Sequence, residues 1–140
     1  MRVSCGTDII EIERIKKSVN GETGEKFIST VFTGKEIEYC ESKRNQKYQH
    51  YAGRFAGKEA IFKALSENIE KYKIGHGGNL AWHDFEILNN KDGRPKIKLN
   101  CNIPELESID ISISHCKDYA IANVVAIYKW TLGAKDGIFW

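Results

Sequence analysis

The chain has 140 residues, 41% hydrophobic and 29% charged, with a formal net charge of +2. That length suits one domain with a substantial core, and the near-neutral balance gives no general footprint for nucleic acid. No apolar run reaches membrane-spanning length, MRVSCGTDII lacks the apolar stretch of a secretion signal, and the widely spaced Cys5, Cys40, Cys101 and Cys116 form no zinc pair or disulfide framework, so a reducing cytoplasm is the expected setting.

In chain order, RVSCGTDIIEI reads as a short strand ending in an acidic turn. Val3, Cys5, Thr7 and Ile9 fall on one face, and Ser4, Gly6, Asp8 and Ile10 on the other. ERIKKSV follows as a short helix exposing Arg14, Lys16 and Lys17. EKFISTVFTGKEIEYCES holds two helical pieces, and Thr33 with Glu36 three residues later is a capping-box signature for the second. From about Gln46 to Lys73 the pattern is helical and free of proline, which predicts a long central helix ended by the glycines of GHGGN.

WHDFEIL and PKIKL then read as two strands joined by the loop NNKDGR. SIDISISH and YAIANVVAIYKW form a second hairpin, turning at Cys116, Lys117 and Asp118. In its first strand Ile109, Ile111 and Ile113 face one way, and Asp110, Ser112 and Ser114 the other. The tail TLGAKDGIFW carries Phe139 and Trp140, which need an apolar surface on the core or on a neighbouring subunit. No linker divides the chain. The expectation is a single α+β domain over residues 1–140, a long helix on an antiparallel sheet with the last ten or so residues as a tail.

The chemistry concentrates in RFAGKEAIFKAL. At helical spacing Phe55, Glu59 and Phe62 share a stripe, and Lys63 lies one turn beyond Glu59. A solvated Glu–Lys pair belongs on a polar face, and none exists here. A carboxylate walled by phenylalanines costs several kcal/mol unless it is paired or bound to a metal. The helix alone leaves a surface ion pair and a metal or substrate site equally open. Asp8 is either a helix cap or a ligand, and His115 at a strand end is either structural or catalytic. Brought together, Asp8 and Glu59 would suit a hard divalent cation, with Lys58, Lys63, Arg54 and His115 neutralising a diphosphate. Spacing does not unite them. Lys43, Arg44, Lys47 and Arg54 in ESKRNQKYQHYAGR form either a solvated helix face or a local anion site.

GTDIIEIERI, FTGKEIEYC, YAGRFAGKEAIFKAL and SISHCKDYAIANVV stand in the order found in the holo-acyl-carrier-protein synthases, the small bacterial 4′-phosphopantetheinyl transferases, and the chain resembles them from about Val3 to Ile127. The resemblance implies that family's fold, and transfer of 4′-phosphopantetheine from coenzyme A to a serine of apo acyl carrier protein in support of fatty acid biosynthesis. It implies Asp8 and Glu59 as Mg²⁺ ligands, and Glu59, Lys63 and His115 as catalytic groups. Arg54, Lys58, Lys63, Ser66, Ser114 and His115 would line the coenzyme A site, with Lys43, Arg44 and Lys47 near its 3′-phosphate. Arg14, with Lys16 and Lys17, would meet the carrier, and a homotrimer with sites between subunits is expected. The chain departs from the family at SENIEKYKIGHGG, which lengthens the segment after KAL, where Ser66 is a candidate replacement for loop contacts. Two other functions remain open on the residues alone: a Mg²⁺-dependent phosphohydrolase acting on coenzyme A or nucleotides, and a non-catalytic module that binds an acidic carrier protein.

Overall fold

A computed structural model describes residues 1–72 and 81–129. The elements run β1 (Arg2–Glu11), α1 (Ile12–Asn20), α2 (Gly24–Val31), α3 (Gly34–Ser42), α4 (Lys47–Tyr72), β2 (Phe85–Asn89), β3 (Pro95–Leu99), β4 (Leu106–His115) and β5 (Tyr119–Tyr128). This is the α+β arrangement expected. The GHGGN stretch and the TLGAKDGIFW tail lie outside the described residues.

The strands form a three-stranded antiparallel sheet in the order β1-β5-β4, and a separate β2-β3 hairpin. The β4–β5 turn closes where expected, with Cys116 N–H donating to the Tyr119 carbonyl at 2.9 Å. β1 pairs with β5 along its whole length, Asp8 opposite Ala122. One detail differs: Trp82–Asp84 form a 3₁₀ turn before β2 rather than strand. Asp84 draws it back by accepting from the Ala81 N–H at 2.7 Å.

Helix α4 packs against the sheet, and small residues allow it to sit close. Ala52, Ala56, Ala60 and Ala64 are buried along it. Gly57 faces Ile87 and Ile111, and a Cβ there would lie 2.5 Å from the Ile87 methyl. The closest approach is at Gly6 of β1, where a Cβ would meet the Ala60 carbonyl oxygen at 2.1 Å. Alternation in β1 therefore turns Gly6, Asp8 and Ile10 inward, onto α4. The other face of β1 stays open, with Val3 61% and Ile9 60% exposed beside Val125 of β5 at 42%.

The Thr33 capping box is present: Thr33 Oγ1 accepts from Glu36 N–H, and Glu36 Oε1 accepts from Thr33 N–H at 2.8 Å. All four cysteines are free thiols. Among the described residues no helix is long and apolar enough to cross a membrane.

Candidate active site

Asp8 and Glu59 come together because β1 lies on α4 at Gly6. Both line a cavity of about 570 Å³, together with Arg14, Ile15 and Ser18 of α1, Phe27 of α2, Phe55 of α4 and Tyr119 of β5. Lys63, one turn past Glu59, donates to the Thr7 carbonyl at 2.9 Å and to Asp8 Oδ1 at 3.1 Å. Burial pushes the Glu59 carboxyl above the usual carboxylate range. The Asp8 charge adds to this, and the Lys63 ammonium opposes it. Behind the carboxylate stands an aromatic wall. Trp82 stacks on Phe55 at 5.6 Å between centroids, and meets Phe62 edge-on at 5.3 Å.

A second cluster occupies another side of α4. The Arg54 guanidinium lies 3.8 Å above the Tyr39 ring, and Lys43 stands 4.8 Å from the same ring. Arg54 Nη2 donates to Asn89 Oδ1 at 2.5 Å, while its buried Nε has no partner. His50 sits edge-on to Tyr39 at 5.5 Å and to His115 at 6.2 Å. Burial pulls the His50 imidazole down to about 4, helped by the charges of Arg54 and Lys43. Tyr39, Arg54 and Ile87–Asn89 line a cavity of about 380 Å³. Arg54 and Glu59 are five residues apart, so they point about 140° apart around the helix.

The structure thus divides the residues singled out in the sequence. Asp8, Glu59 and Arg14 line the first cavity, and Lys63 adjoins them through its bond to Asp8. Arg54, Lys43 and His115 gather near the second. Lys58 belongs to neither, which corrects its expected place in the coenzyme A site. It is 0% exposed, and its three protons go to Glu36 Oε1 at 2.7 Å and to the Trp82 and Phe85 carbonyls at 2.9 Å each. Ser66 is on α4, donating to the Lys63 carbonyl at 3.0 Å as a continuing helix allows. Ser114 is exposed on β4 opposite Ile121. Arg44 has a left-handed backbone, φ 53°, in the 3₁₀ turn before α4. Lys47 pairs with Glu41 at 3.2 Å and shares the Tyr48 ring with Lys16, each 5.5 Å from its centroid. Lys17 is exposed on α1. Sequence reasoning passed over Tyr39, His50, Trp82 and Asn89. Tyr39 and His50 lie inside quoted motifs, but only the fold turns them toward Arg54.

Two carboxylates converging beside a lysine, with a basic helix at the rim, define a site for moving a phosphorylated group between partners. The sequence profile of the 4′-phosphopantetheinyl transferase superfamily matches residues 4–124. A holo-[acyl-carrier-protein] synthase of Ruminiclostridium cellulolyticum is 44% identical over 132 residues, covering 89% of this chain and 92% of that protein. The crystal structure of the Helicobacter pylori holo-[acyl-carrier-protein] synthase in complex with coenzyme A matches with a TM-score of 0.72 at 33% identity, covering 88% of this chain and 99% of that one. The Bacillus anthracis enzyme in complex with coenzyme A (3′,5′-ADP) matches at 0.69 and 32%, covering 88% and 94%. The chain belongs to the 4′-phosphopantetheinyl transferase superfamily, among its holo-[acyl-carrier-protein] synthases.

Proposed function

We propose that this protein transfers 4′-phosphopantetheine from coenzyme A to a serine hydroxyl of an apo acyl carrier protein, releasing adenosine 3′,5′-bisphosphate, in the cytoplasm and in support of fatty acid biosynthesis. The convergence of Asp8 and Glu59 on one cavity rimmed by Arg14, with Lys63 donating to Asp8 beside it, carries the reading. Family membership favours it over a phosphohydrolase or a non-catalytic binding module.

In the transfer, the serine oxygen bonds to the β-phosphorus of coenzyme A. The bond from that phosphorus to the bridging oxygen breaks, and the bridging oxygen leaves on the nucleotide. Glu59, lining the cavity beside Asp8, is placed to take the serine proton. Lys63 is placed to turn its ammonium from Asp8 onto the diphosphate, which stabilises charge on the leaving group. Phe55 and Trp82 hold the Glu59 face of α4 and limit water. Arg14, Lys16 and Lys17 offer a basic edge to an acidic carrier.

The carboxylates fit Mg²⁺. Asp8 and Glu59 line one cavity, and carboxylate oxygens are the donors Mg²⁺ takes when phosphates and water complete its shell. Held by Asp8 and Glu59, it would supply further neutralisation of the diphosphate.

The second cluster suits the nucleotide end of the donor, with Arg54 and Lys43 as cations, His115 as a nearby hydrogen-bonding ring and Tyr39 as an aromatic platform. Because Arg54 and Glu59 diverge around α4, one donor spanning both chemistries draws on two chains. The exposed Val3, Ile9 and Val125 supply an apolar face for that association, and a homotrimer with sites between subunits satisfies both requirements.

The test is an intact mass spectrum of an apo carrier incubated with this protein, coenzyme A and Mg²⁺. Gain of one phosphopantetheine arm, abolished by chelation and by alanine at the carrier serine, is expected. Hydrolysis of coenzyme A with the carrier unmodified would overturn the reading.

A further inference from the structure

Lys58 and Glu36 are both fully buried, and they form an ion pair at 2.7 Å. The capping box alone does not explain Glu36. Its Oε1 receives the Thr33 N–H and the Lys58 ammonium, and its Oε2 receives the Ile87 N–H at 2.9 Å. Lys58 in turn holds the Trp82 and Phe85 carbonyls. Alongside them, Thr33 Oγ1 donates to Glu86 Oε2 at 2.5 Å. One buried pair therefore ties the start of α3, the middle of α4 and the start of β2 together.

The attraction within such a pair is largely offset by the desolvation of its two charges, so the pair by itself is a poor device for stability. What it does supply is direction. The pair holds the backbone N–H groups of Thr33 and Ile87 and the carbonyls of Trp82 and Phe85, so β2 is fixed in register against both helices. Those three elements also line the second cavity, through Tyr39 of α3, Arg54 of α4 and Ile87–Asn89 of β2. Arg54 reaches Asn89 only two residues past Ile87, the N–H that Glu36 holds.

We infer that Glu36 and Lys58 are positioning residues for the nucleotide end of the donor: their buried pair sets the register of β2 that places Asn89 and Tyr39 around Arg54. This rests on the reading of that cavity as the nucleotide end of the coenzyme A site.

The test uses the full chain and coenzyme A as probe, by calorimetric titration without carrier and by steady-state kinetics with it. Two variants are compared, Glu36→Leu/Lys58→Met, which replaces both charges at once, and Glu36→Asp, which keeps the charge and withdraws it by one methylene. For each folded variant, coenzyme A should bind roughly tenfold more weakly or worse, the scale of one misaligned charged hydrogen bond. Its KM should rise in parallel, with kcat and the carrier KM within about twofold of the parent. Unchanged coenzyme A affinity in either folded variant would overturn the inference. So would a fall in kcat at constant KM, which would make the pair a support for Glu59 alone. Should the parent itself fail to bind coenzyme A, the reading of the cavity fails instead.

Discussion

At the scale of single residues, the helix RFAGKEAIFKAL carries two unrelated charge pairs. Glu59 lines the first cavity with Asp8, to which Lys63 donates, while Lys58, next to Glu59, is sealed in the core with Glu36. Adjacent lysines on one motif thus have opposite duties. Glu59→Gln should leave the fold intact and lower kcat about 100-fold or more, read by carrier modification under saturating coenzyme A. Lys63→Ala should lower kcat/KM by a similar order while moving thermal stability little, because the Lys63 side chain is half-exposed and such pairs contribute under about 1 kcal/mol. Lys58→Met alone should behave in the reverse sense. It strands a buried carboxylate and two carbonyls, and should cost about 3–5 kcal/mol in a urea melt. The sequence pattern distinguished Glu59 because its stripe is aromatic. It could not separate Lys58 from Lys63, since their partners lie 22 residues before one and 55 before the other.

At the scale of elements, α4 was legible from composition and periodicity, and both hairpins from their alternation and turns. These are local signals. The pairing of β1 with β5 joins the two ends of the described chain, so no window of sequence could carry it. Nor could periodicity choose which face of β1 turns inward. Gly6 makes that choice physically, because any side chain there would collide with the Ala60 carbonyl. Gly6→Val should therefore push β1 off α4, part Asp8 from Glu59, and destabilise the protein by about 3 kcal/mol or more by denaturant titration. The 3₁₀ turn at Trp82–Asp84 escaped the strand reading for a similar reason, since Trp82 is held by Phe55 and Phe62 rather than by a neighbouring strand.

At the scale of the molecule, the basic cluster around Arg54 leaves a signature in stability. His50 titrates near 4 in the fold, whereas free histidine takes up its proton near 6.5. Between those values the unfolded chain binds a proton that the native chain refuses, so stability present above about 6.5 declines as pH falls toward 4. Burial is the main reason His50 resists its proton, and Arg54, Lys43 and His115 each disfavour its charge further. A series of melting temperatures over this range should show the decline, and His50→Phe should flatten it. The same cluster explains why the site could be read only in halves. The motifs name both groups of residues, but helical geometry sends Arg54 and Glu59 to different sides of α4, and in the proposed assembly a second copy of the chain brings the halves to one donor.

The proposed two-chain site is best tested by mixing two inactive variants, Glu59→Gln and Arg54→Ala, after denaturing and refolding them together. In randomly mixed cyclic assemblies, about one interface in four joins an intact Glu59 to an intact Arg54 from the neighbouring chain. The mixture should recover about a quarter of the parent activity, while each variant refolded alone stays inactive. A mixture as inactive as its components would contradict the account, placing both groups of residues around a donor bound within one chain.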